Sequence, residues 1–230
     1  MCALGHRLEE RGFSTVALAS VRAQAEKTRP PRALWSAAML GRPVGEPGDP
    51  AFQLRIMRAA LGLLERTDGP VILEDFPDDP PGWTDNPDWI APATDPARAF
   101  AAELAALLPL WREARARFGR TSVGLSFQPP SAWPAFAAGV LNGDLPVVPA
   151  LGTTALSVRF LCDDIKALYG EAAQAVGPAP SARQVDTWFW RQTAAGALLQ
   201  TLRLTAMASG NNALKTVGGR FFVPTPWVAG

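Results

Sequence analysis

The stretch FSTVALASVRAQAEKTRPPRALWSAAML, residues 13–40, decides the fold. It opens with FSTVAL (13–18), a short apolar run with β-branched members that reads as a buried strand. Residues 20–29 have helical composition and stop at Pro30-Pro31, because a residue before proline is pushed out of the helical region. ALWSAAML (33–40) is a second short apolar run. Strand, helix, strand, with each strand continuously apolar, is the pattern of a parallel sheet covered on both faces.

The surrounding sequence extends that pattern. Residues 2–12 predict a helix, with Leu4 and Leu8 one turn apart and Gly12 as its C-cap. GRPVGEPGDP (41–50) is a loop by its Gly and Pro content. Residues 50–66 predict an amphipathic helix with Phe52, Ile56, Ala59, Ala60 and Leu63 on one face. TDGP then turns the chain into VILE (71–74), a third strand. Folds of this kind usually open on a strand, whereas the first helix starts at residue 2. The domain is therefore expected to extend further towards the N-terminus than Met1.

Beyond this lies an acidic, proline-rich loop (74–96), with Asp95 expected to cap a helix over 96–118 and Pro96 at its first position. SVGLSF (122–127) is a strand or an extended link. Residues 131–142 predict a short helix, and LPVVPALG is a linker. Two longer helices are expected over 154–176 and 181–209, the second capped by Ser181. The apolar tail RFFVPTPWVAG is expected to run extended and dock on the body. The fold class is therefore α/β: a small parallel sheet flanked by helices in the N-terminal half, followed by a helical C-terminal half. The expected domains are 1–127, the α/β part, and 128–230, the helical part.

Composition narrows the function. The 230 residues are 48% hydrophobic and 19% charged, with a net charge of +1. That is enough apolar material for a sizeable core. No basic stripe with interleaved aromatics supports nucleic-acid binding, and no apolar run approaches a membrane span. The opening MCALGHRLEERG carries Arg7, Glu9 and Glu10, so no signal peptide is expected and the expected compartment is the cytoplasm. The two cysteines, Cys2 and Cys162, match no zinc spacing, and His6 is the single histidine. No metal site and no cofactor is identifiable.

In a parallel sheet, ligands collect beyond the carboxyl ends of the strands. That rule selects Arg22 after the first strand, Arg42 after the second, and Glu74 and Asp75 at the third. The arginines suit a carboxylate or phosphate; the carboxylates suit a cationic amine or act as a base. The alternative is that all four solvate loop surfaces and pair with one another. GRPVGEPGDP lacks the residues of a phosphate-binding loop. Cys2 and His6, four residues apart, share a helix face, and a helix N-terminus lowers a thiol's pKa. They form the simplest nucleophile available, unless the chain start frays. Cys162, beside Asp163 and Asp164, reads as a packed cysteine. Trp188, Phe189 and Trp190 fit either a cage for a methylated ammonium or core packing. EKTRPPRALW fits either a patch for an acidic partner or a connection held by local ion pairs.

The run from CALGHRLEERGFSTVAL through EKTRPPRALW, LGRPVGEPGDPAFQLRIMRAALGLL and GPVILEDFPDD resembles the component B (selenoprotein B) family of glycine, sarcosine, betaine and D-proline reductases, in particular its short proteobacterial members. RFLCDDIKALYGEAA and DTWFWRQTAAGALL resemble the C-terminal region of the same members. The resemblance implies a thiol-dependent oxidoreductase that cleaves a C–N bond of a small amino acid or amine, fed by an external dithiol donor and working with a partner reductase subunit that carries a pyruvoyl group. Cys2 would be its thiol and His6 the helper, with Arg22, Arg42, Glu74 and Asp75 orienting the substrate. No CxxC or CxxU is present. That absence favours the alternative of a non-catalytic member that binds a small molecule or scaffolds a complex.

Overall fold

A computed structural model describes residues 2–38, 42–45, 48–80, 84–175 and 177–228, without the side chain of Cys2. The chain divides into two compact units, Met1–Asp85 and Asn86–Gly230.

The first unit runs α1 (Cys2–Glu9), β1 (Ala17–Ala19), α2 (Arg22–Thr28), β2 (Arg32–Trp35), α3 (Pro50–Gly62) and β3 (Ile72–Asp75). The three strands form a parallel sheet in the order β1-β2-β3. Leu18 registers with Leu34, and Leu34 with Glu74; Ala19 registers with Trp35, and Trp35 with Asp75. Each register row shares one face of the sheet. Leu34 and Ile72 form a core with Phe52, Ile56, Ala60 and Leu63 of the α3 segment. The predicted apolar face of that helix is thus the buried one. Asp49 starts α3, its carboxylate accepting from the Phe52 N–H at 3.0 Å with Pro50 at the first position, an arrangement that satisfies an orphan donor where proline has none.

The first strand is shorter than its apolar run. Thr15 donates its backbone N–H (2.7 Å) and its hydroxyl (3.0 Å) to the Glu9 carboxylate. Residues before Ala17 are thereby tied to the end of α1 rather than to the sheet ladder. The predicted strand residues 39 and 40 lie outside the described residues.

The second unit contains α4 (Phe100–Phe118), α5 (Trp133–Leu141), α6 (Thr154–Ala172), α7 (Ala182–Gln192), α8 (Ala194–Ala208) and α9 (Asn212–Val217), then a π-helical turn at Gly218–Phe222. The buried face of α6, including Leu161, Ile165 and Leu168, is the centre of one apolar cluster with Trp133, Trp188 and Leu199. Helix α4 belongs to this cluster, so the helical unit begins well before the boundary expected at 127/128. The tail docks through the buried Phe222 and Val223; it is helical up to Phe222 and extended at Val223 and Pro224.

Two local departures from the sequence reading have polar causes. Helix α4 starts at Phe100, not at residue 96, because the Asp95 carboxylate is spent on a turn, accepting from the Ala97 N–H at 2.9 Å. The helix expected over 181–209 breaks at Thr193, whose hydroxyl donates to the Phe189 carbonyl and accepts from the Gly196 N–H. At this joint a Cβ on Gly196 would lie 2.3 Å from the Phe189 oxygen. Upstream, Ser181 caps α7 as expected, with Gln184 completing a reciprocal capping box.

SVGLSF is a link, and it wraps a buried charge. Asp164 on α6 is fully buried and accepts from the N–H groups of Gly124, Leu125 and Ser126, each at 2.9 Å, and from the Ser126 hydroxyl at 2.6 Å. Replacing Asp164 with Ala orphans all of these donors at once. The expected loss is about 3–5 kcal/mol, read as a lowered urea midpoint for the helical unit in circular dichroism.

Candidate functional site

The carboxyl edge of the sheet gathers two of the expected residues. Arg22 opens α2, and its Nε donates to both Asp75 oxygens, at 3.0 and 3.2 Å. Its Nη1 donates to Glu26, one turn along the helix. Hydrogen bonding to Asp75, followed by the attraction of its charge, raises the Arg22 pKa above the ordinary guanidinium value. Trp35 sits beside Asp75 in the register, on the same face, and its buried indole N–H has no partner among the described residues. Sequence reasoning missed Trp35, because the second apolar run continues to residue 40 whereas the strand ends at Trp35.

Glu74 does not join this group. Successive residues of a strand point to opposite faces, so Glu74 shares the face of Leu34 and pairs with Arg66. Arg42 is exposed on the loop after β2, with Gly41 beside it outside the described residues. The four charges therefore do not converge on one hollow.

The expected thiol site lies at the other edge. Helix α1 begins at Cys2, with His6 one turn on. His6 is exposed, and its Nε2 is 3.4 Å from the carbonyl oxygen of Thr28, the last residue of α2. Arg22 is the first residue of that helix, so the two ends are about 9 Å apart along its axis. Catalytic groups act on a substrate atom held within about 3.5 Å. The α1 pair and the Arg22–Asp75 pair consequently do not form one catalytic centre.

Between α1 and the amino edge lies a cavity of about 250 Å³, lined by Leu4, Leu8, Thr15, Pro30, Pro31 and Arg32, among others. Arg32 closes it with an Nη1 contact of 2.7 Å to Glu9. Burial alone would raise the Glu9 carboxyl, but the bonds from Thr15 and Arg32 outweigh it and hold the group below its usual value. The EKTRPPRALW segment is thus held by ion pairs within this unit, Glu26 to Arg22 and Arg32 to Glu9.

In the helical unit the aromatic run is core. Trp188 and Phe189 are buried, and the Trp188 indole donates to the Pro92 carbonyl and the Thr94 hydroxyl. Cys162 is a free thiol with no exposed surface, and burial pushes it up to about 12. Among the described residues, no group of acidic, cysteine and histidine side chains is placed to hold a metal. No helix there is long and apolar enough to cross a membrane.

No family model matches the chain, no curated protein matches it, and no solved structure matches it.

With its thiol held protonated, Cys162 is inert. In a Cys2→Ser protein, where it is the remaining cysteine, Ellman's reagent at pH 8 is expected to detect no thiol until denaturant is added. Only the unfolded chain ionises this group between the ordinary value of 9.0 and about 12. Stability is therefore complete below pH 9 and falls as pH rises through that window, which a series of alkaline urea melts would display.

Proposed function

We propose that this protein binds a small zwitterionic amino acid or amine at the carboxyl edge of its α/β unit, as a non-catalytic member of the reductase-like family it resembles. The observation that carries this reading is the exposed Arg22–Asp75 pair, with Trp35, whose indole N–H has no partner among the described residues, next to Asp75 in the register. A zwitterion presents a carboxylate and an ammonium a few atoms apart. Arg22 Nη2, uncommitted among the described residues, is a donor for the first; Asp75 attracts the second. The edge itself is where open parallel sheets hold ligands.

Titration calorimetry with glycine, sarcosine, betaine and D-proline tests it. At least one is expected to bind saturably. Arg22→Ala and Asp75→Asn should each weaken that binding about tenfold, the usual worth of a hydrogen bond to a charged group. Glu74→Gln, on the opposite face, should leave it unchanged. Equal affinity in all four proteins would sink the reading.

One observation favours the catalytic alternative: the helix that starts at Cys2 sets residue 2 and His6 on successive turns. In that reading Cys2 reduces a C–N bond with electrons from an external dithiol, in the cytoplasm and alongside a partner reductase subunit. The substrate would then be held at the α1 end of α2 and not by Arg22. Dithiol-dependent release of ammonia from glycine, or ring opening of D-proline to a primary amine, abolished by Cys2→Ser and unaffected by Arg22→Ala, is the expected result. Full turnover in the Cys2→Ser protein excludes this role.

A further inference from the structure

We propose that the helical unit binds a small organic ammonium ion, a protonated primary amine on an apolar body, in the groove where α5 and α8 end. This site is separate from the carboxyl edge of the sheet and does not depend on that reading. The groove encloses about 610 Å³, within the range of roughly 300–1,000 Å³ typical of small-molecule sites. Val140, Leu145, Ala208 and Leu214 supply apolar wall, while Asp144 and Thr205 supply polar atoms. Among the described residues no cationic side chain lines it, Lys215 of α9 included.

The electrostatics select a cation. The Asp144 carboxylate has no hydrogen-bond or ion-pair partner among the described residues, and neither has the Thr205 hydroxyl. Asp144 is held in place by the way α5 stops. Gly143 takes a φ of 91°, its N–H donates to Val140, and the Asp144 N–H donates to Gly139. This ending places the backbone of Asp144, whose side chain is exposed, at the C-terminal, negative end of a helix, where a cation is the favoured charge. Helix α8 ends on the same groove at Ala208 and Ser209, adding a second negative terminus. The N-terminus of α9 also opens there, but α9 has only six residues and Asn211 Oδ1 already caps it, accepting from the Leu214 N–H at 3.0 Å.

The walls select the kind of cation. Quaternary ammonium groups are held by aromatic faces, and among the described residues no aromatic lines this groove. An ammonium with N–H donors instead uses Asp144 and the Thr205 oxygen, while its chain covers Val140, Leu145 and Leu214.

The test uses the full chain and a matched pair of probes, pentylammonium and its uncharged analogue 1-pentanol, followed by calorimetry and by amide shifts of residues 140–145 and 205–214. Pentylammonium is expected to bind saturably and at least about tenfold more tightly than pentanol. Asp144→Asn should remove that difference, leaving pentanol binding as it was. Ala208→Phe, an exposed position that fills the groove, should abolish both. Equal affinity for amine and alcohol, unchanged amine binding after Asp144→Asn, or no saturable binding by the native protein would each overturn the proposal. Replacements at Arg22 or Asp75 leave this result untouched, so the two sites are tested separately.

Discussion

Because β1, β2 and β3 all point the same way, everything that follows a strand collects at one edge of the sheet and everything that precedes one collects at the other. This polarity governs what the α/β unit can assemble. Helix α2 must carry the chain back from the carboxyl edge to the amino edge, and it presents Arg22 at one end and Thr28 at the other. His6 meets the Thr28 end and Asp75 the Arg22 end. Residues that look like one catalytic kit on paper are placed at opposite ends of α2.

The helical unit solves a different problem. It has long connections to immobilise, and it does so with carboxylates on its helices. Asp164 gathers three backbone N–H groups, and Glu171, two turns further along α6, takes the Ser122 N–H, the Thr121 hydroxyl and the Trp111 indole. Glu103 on α4, fully buried, accepts from Tyr169 and from the Ala195 N–H at the start of α8. The two fully buried carboxyl groups, Asp164 and Glu103, are each compensated by several donors, which is the condition for tolerating them in an apolar interior. Loops with no ladder of their own are thereby fixed to the core.

The fold class was legible because it depends on local chemistry. The continuous apolar strands, the Pro30-Pro31 stop and the apolar face of Phe52, Ile56 and Leu63 are visible in the chain. What stayed hidden depended on partners distant in sequence. Nothing near Thr15 announces that Glu9 will take its N–H, and nothing near Ser126 announces Asp164. The opposite orientation of Glu74 and Asp75 was recoverable, since a period of two follows from calling VILE a strand. The groove was not, because residues 140–145 and 205–214 meet only through the packing of α5 against α8.

The joint between α7 and α8 carries one last consequence. A hydrogen atom is the largest substituent the chain can place on the α-carbon of residue 196. The bend is thus shaped by exclusion: the helices approach until backbone meets backbone, and no softer side chain lies between to absorb a change of angle. Trp188 on one arm and Leu199 on the other, both in the apolar core, are in effect mounted on a single rigid corner piece.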